Sequence, residues 1–175
     1  MFVPSHIASG FLLGKGVLSS IYKNKHVPYF LLMVTIGAVI PDVDGIFSDT
    51  VAGHHSVLHT PILWIGFYTL AIIMSKMFNR KNIQPLGLGV MLGAQLHLFT
   101  DWFTARTVGI QWLYPFSHKD FFLYPVQPEQ GQVTVWEMMK DPYFSFYIEN
   151  GFLFCTEIII CLSALIIAIR SKNRM

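Results

Sequence analysis

Apolar residues gather in five stretches of this chain, residues 7–22, 27–40, 61–77, 85–99 and 151–169. Only the last reaches unaided the ~20 residues that a helix needs to cross a hydrocarbon core. The other four are shorter and two carry several glycines, so helices that are tilted, partly inserted or packed inside a bundle are expected there. The pattern predicts an all-α fold, an integral membrane bundle of about five helices forming one domain over residues 1–175. The opening residues 1–18 have no basic leader, carry Lys15 and show no clear cleavage site of small residues. They are expected to be retained structure.

The separators between stretches differ in chemistry. Lys23-Asn24-Lys25-His26 and Asn79-Arg80-Lys81-Asn82 are basic, whereas residues 41–60 and 102–150 hold nearly all the acids. If the chain crosses at every stretch, Lys23, Lys25, Lys76, Arg80, Lys81, Arg170, Lys172 and Arg174 fall on one side, opposite Arg106, Lys119 and Lys140. Loops rich in Lys and Arg stay in the cytoplasm. A multi-pass protein of the cell (inner) membrane is therefore expected, with its N-terminus extracytoplasmic and its C-terminus cytoplasmic. Residues 102–150 are rich in Pro and aromatics, among them Trp112, Tyr114, Pro115 and Phe116. They resist a helical reading and are expected to form an extracytoplasmic interfacial cap or lid before the last helix.

Composition strengthens this picture. With 53% hydrophobic and 13% charged residues, the chain has about half the charge of an ordinary soluble domain. Nothing points to nucleic acid. Cys155 and Cys161 share the last apolar run, about 9 Å apart along a helix axis, without the paired spacing of a zinc or redox motif. His26 belongs to the basic side and is expected to be solvated.

The polar residues that interrupt the apolar pattern suggest chemistry. His6, Pro41-Asp42-Val43-Asp44, His54-His55-Ser56-Val57-Leu58-His59 and His97-Leu98-Phe99-Thr100-Asp101 all fall at the outer ends of the expected helices. Imidazole and carboxylate are the donors that zinc takes, and manganese and iron accept similar mixtures. His97 and Asp101, four apart, share a helix face. Asp42 and Asp44 are expected to turn two carboxylates toward the same centre. The expected ligands are thus His6, Asp42, Asp44, His54, His59, His97 and Asp101, around one or two divalent ions. His55 is expected behind the ligands, and His118 is a weaker candidate. Glu157, inside the last apolar run, needs a partner, with a serine, Lys15, a histidine or a backbone group as the alternatives.

These motifs, with Gly10, the stretch from Gly93 to Asp101 and Tyr114-Pro115-Phe116-Ser117, resemble the LexA-regulated, membrane-bound, predicted metal-dependent hydrolases of bacteria. The resemblance covers most of the chain. His55 stands where many relatives are expected to have arginine, and Arg106 is a candidate to replace that charge, a simple interfacial arginine being the alternative reading. More distantly, the order His, Asp, His, then His-x-x-x-Asp is similar to zinc-dependent phospholipases C and single-strand-specific zinc nucleases. That likeness implies His6, Asp42, His59, His97 and Asp101 as ligands, but their later His-x-x-x-Glu pair is missing here.

The expected function is metal-assisted hydrolysis of a phosphoester in a lipid or envelope-derived molecule. Asp44 or Asp42 would act as proton acceptor, and Arg106, His55 and His118 would contact substrate. The alternatives are a metal transporter, or a structural or stress-response membrane protein that binds metal without catalysis.

Overall fold

The computed structural model describes residues 1–21, 28–54 and 57–172. It contains seven α-helices: α1 (Val3–Ile21), α2 (Pro28–Gly37), the one-turn α3 (Val51–His54), α4 (Pro61–Met77), α5 (Ile83–Thr104), α6 (Tyr143–Glu149) and α7 (Gly151–Lys172). All five apolar stretches form helices. Among the described residues there is no strand, only an isolated antiparallel bridge between Ile110 and Phe121.

Helix boundaries follow local chemistry. Pro61 opens α4, where a missing N–H costs nothing, and Thr60 before it is extended at φ −115°, ψ 132°. Pro41 cannot continue a helix and disfavours helical backbone in the residue before it. α2 accordingly stops at Gly37, and a 3₁₀ turn over Ile40–Ile46 leaves it at 44°. α5 continues past the apolar stretch to Thr104, so His97 and Asp101 both lie within it.

α5 is the hub, packing against α1, α2 and α4, while α7 packs on α1 and α6. A core of Trp64, Val90, Ala94, Leu98 and Ile110 fills the space between α4, α5 and the segment after α5. The α2–α5 crossing depends on Gly93, where a Cβ would collide with the Val34 carbonyl and with the backbone of Gly37 and Ala38. This closeness carries the end of α2, and the turn bearing Asp42, onto α5.

Among the described residues, α7 alone is by length and composition a complete candidate for a membrane span. α2 and the turn after it qualify together as a bent pair, and α4 is apolar but shorter. The five expected helices are therefore among the seven, but five spans are not established. α1 and α5 are long enough, but they carry His6, Gln95, His97 and Asp101. Ile65, Leu70 and Ile73 on α4, with Ile159, Leu162, Leu165 and Ile169 on α7, are exposed. Apolar surface of this extent on a lone chain marks contact with another apolar phase or partner.

Residues 105–142 are largely irregular, and the aromatic-rich α6 that follows was not expected from the sequence. The segment is held to the rest of the fold by a hydrogen bond from Val51 N to Val133 O at 2.8 Å, and within itself by one from Gln127 N to Arg106 O at 2.5 Å. Glu157, buried on α7, accepts hydrogen bonds from Ser5 Oγ at 2.6 Å and Phe2 N at 3.1 Å. A serine and a backbone group are thus its partners. Lys15 instead lies 5.7 Å from the Phe11 ring centroid.

Candidate metal centre

The fold brings six of the expected side chains together. His6 comes from the first turns of α1, Asp42 from the 3₁₀ turn after α2, His54 from the end of α3, and His59 from the turn Val57–His59. His97 and Asp101 project one turn apart from α5. His97 Nε2 lies 2.9 Å from Asp101 Oδ2 and 3.4 Å from Asp42 Oδ1, while His6 Nε2 lies 3.1 Å from Asp101 Oδ1. His54 and His59 each place Nε2 3.7 Å from Asp42 Oδ1. His6 and His97 have no solvent exposure and stack with ring centroids 3.9 Å apart.

The surrounding polar groups indicate which ring nitrogens carry protons. His97 Nδ1 is 2.9 Å from the Ala38 carbonyl, which can only accept, so Nδ1 carries the hydrogen. Thr100 Oγ1 gives its proton to the His97 carbonyl at 2.8 Å, leaving a lone pair for His6 Nδ1–H at 3.4 Å. In the neutral tautomers, both Nε2 atoms then direct lone pairs at the two carboxylates. His97 Nε2 also faces His59 Nε2 at 3.3 Å, and the buried His6 Nε2 makes no hydrogen bond despite its closeness to Asp101. Converging lone pairs of buried nitrogens and carboxylates repel unless a proton or cation lies among them. A ligating histidine whose other nitrogen donates to a carbonyl or hydroxyl is a recurring feature of metal sites.

Two sets of donor atoms are close enough to share an ion: His6, Asp42, His97 and Asp101, and Asp42, His54 and His59. Asp42 is common to both. The buried group could hold a metal ion, and its mixture of imidazole and carboxylate suits the borderline divalent metals. Thr100→Val should weaken divalent metal binding about ten- to a hundredfold, the usual effect of losing a group that orients a ligand. Competition with a chromophoric chelator measures this, and Thr100→Ser should restore the affinity.

Other expected residues lie elsewhere. Asp44 is in neither ligand set, because in a 3₁₀ helix of three residues per turn a side chain two positions on points well away. His118 is exposed beside Tyr114, with ring centroids 5.4 Å apart. His26 and His55 lie outside the described residues, as do Lys23, Lys25 and Arg174.

Arg106 lies beside the centre. Its guanidinium carbon lies 4.5 Å from the Tyr147 ring centroid and 5.8 Å from that of Phe2. Burial lowers its pKa, opposed by Tyr147, Glu157 and Asp101, but an arginine remains charged. Among the described residues, none forms a hydrogen bond or close ion pair with this guanidinium. It lines a cavity of about 80 Å3, room for a few waters, together with Asp42, His54 and Asp101. Asp101 Oδ1 also contacts the Met1 amino nitrogen at 2.7 Å.

Sequence reasoning overlooked the Ala38 carbonyl and Thr100. No motif signals a backbone acceptor, but Thr100 lies within the histidine and aspartate motif itself.

Across residues 1–175 the chain matches the family described as YdjM inner membrane protein. The chain belongs to that family. Membership makes it an inner membrane protein and is consistent with the LexA-regulated resemblance, without showing a relationship to hydrolases. Comparison with curated proteins and with solved structures finds no match. The YdjM-family assignment and the buried histidine and aspartate group are thus independent observations, one locating the protein and the other indicating what it can bind.

Proposed function

We propose that this YdjM-family protein is a multi-pass, metal-dependent hydrolase that cleaves a phosphoester with one or two zinc ions, manganese or iron being the alternatives. The observation that carries the reading is the double use of Asp42, whose carboxylate belongs to both ligand sets. A bound divalent ion would polarise a phosphoryl oxygen and lower the pKa of a water toward ~7. The chain's own part is to hold the ligands from five separate elements and to exclude bulk water from all but a small cavity. Asp42 has a side chain 18% exposed against 6% for Asp101, so it is the more accessible of the two ligand carboxylates to water in that cavity. Arg106 supplies charge for the phosphoryl oxygens.

The exposed apolar faces of α4 and α7 and the basic residues Arg80, Lys81, Arg170 and Lys172 support several crossings, with the C-terminus cytoplasmic and the site extracytoplasmic. The ligands sit at helix ends, whereas transporter sites typically lie near the bilayer midplane.

Purified protein assayed with phosphomonoester, phosphodiester and phospholipid substrates, with and without chelator, tests the reading. Metal-dependent turnover lost in a folded Asp101→Ala variant is the expected result. Tight metal binding without turnover on any of them would instead favour metal storage, transport or a structural role.

A further inference from the structure

A second cavity, of about 410 Å3, adjoins the small one, and both include Asp42, His54 and Arg106 in their walls. Away from those three residues and the Met1 amino terminus its walls are largely apolar, including Val39, Val43, Ile46, Val135 and Trp136. Ile46 and Trp136 are exposed at 59% and 64%, so the groove opens to the surroundings. Among the described residues no carboxylate lies within ion-pair distance of the Arg106 guanidinium, which thus stands where a hydrocarbon-lined groove meets the candidate ligands. A cation alone would suit any small anion, and an apolar groove alone any greasy surface. Their junction suits a molecule that carries both features.

We propose that this junction binds an anionic amphiphile bearing a single hydrocarbon chain, its phosphate against Arg106 and the metal centre and its chain along the groove. The proposal rests on the metal-dependent reading above and adds the substrate class. The occupant is a lipid-like monoester rather than a protein segment because the groove ends at charged groups that a phosphate satisfies. Buried methylenes contribute through the apolar walls, and the phosphate through charge-assisted hydrogen bonds from a planar guanidinium.

The test uses full-length metal-loaded protein held in amphipol, with methyl, butyl, hexyl and octyl phosphate as probes. Binding is followed by calorimetry, and metal content is measured separately. Affinity should rise with chain length by up to about fourfold per buried methylene. Val135→Trp, which fills the groove, should flatten that rise, while methyl phosphate affinity and metal content, both measured on the same variant, should stay at the wild-type level. Arg106→Gln should weaken all four phosphates by about tenfold or more, as loss of a charged hydrogen bond does, with metal content retained.

A flat series in metal-loaded wild-type protein that still binds methyl phosphate would overturn the amphiphile site and leave the metal reading intact. A rise that persists unchanged in Val135→Trp would also overturn it, as would a groove covered by a second copy, seen as a doubled particle mass with no chain-length dependence. Failure to bind divalent metal, with the chain-length series intact, would sink the metal reading alone.

Discussion

Asp42→Asn should leave the purified protein without bound divalent metal, whereas Asp101→Asn should cost it only part of its metal. Asp42 belongs to both ligand sets, and Asp101 only to the set with His6 and His97. An amide is uncharged and a poorer donor than a carboxylate, and the effect should exceed the ten- to hundredfold loss typical of removing a supporting group. Elemental analysis after dialysis against a weak chelator gives the metal content directly. If hydrolysis is the function, turnover should fall with it by about 10²–10³-fold or more, the scale seen when one charge-stabilising group is removed. Equal metal content in wild type and Asp42→Asn would show that Asp42 holds nothing.

The second large effect is expected at the helix crossing. Gly93→Ala adds one methyl group where the backbone of α2 leaves no room. Overpacking costs about 1–3 kcal/mol, and the upper end applies because backbone rather than a flexible side chain must move. At about 2–4 °C per kcal/mol for a chain of this size, the thermal midpoint should drop by about 6–12 °C. Metal affinity should fall too, since α2 positions both the Ala38 carbonyl and the turn bearing Asp42. Gly66→Ala on α4 is the control, because a Cβ there meets nothing within 4 Å. It should raise stability by up to about 1 kcal/mol through helix propensity. A midpoint unchanged in Gly93→Ala would mean that the crossing is looser than described.

Legibility in the sequence followed the range of the interactions involved. The five long helices were legible because apolar runs record a continuous non-aqueous environment. Their spanning status was not, because His6, Gln95, His97 and Asp101 dilute the apolar character of α1 and α5. His97 and Asp101 were legible as a pair because a single helical turn relates them. Asp42 and Asp44 were not separable, since a spacing of two gives no direction until the backbone is known to enter a 3₁₀ turn. α6 escaped notice because a seven-residue aromatic helix leaning on α7 owes its form to that neighbour rather than to its own periodicity. Glu157 announced a need for partners, but Ser5 and the Phe2 amide became identifiable only once α1 and α7 lay side by side.

That last contact fixes a depth. Glu157 is the seventh residue of α7, about 9 Å along the axis from Gly151, and it grips the two residues that bracket the turn leading into His6. The cluster is therefore moored partway along α7, a candidate membrane span, rather than at its tip. Lengthening α7 by one residue ahead of Glu157 would swing that mooring by about 100°, so the register of α7 against α1 sets where His6 and its neighbours are held.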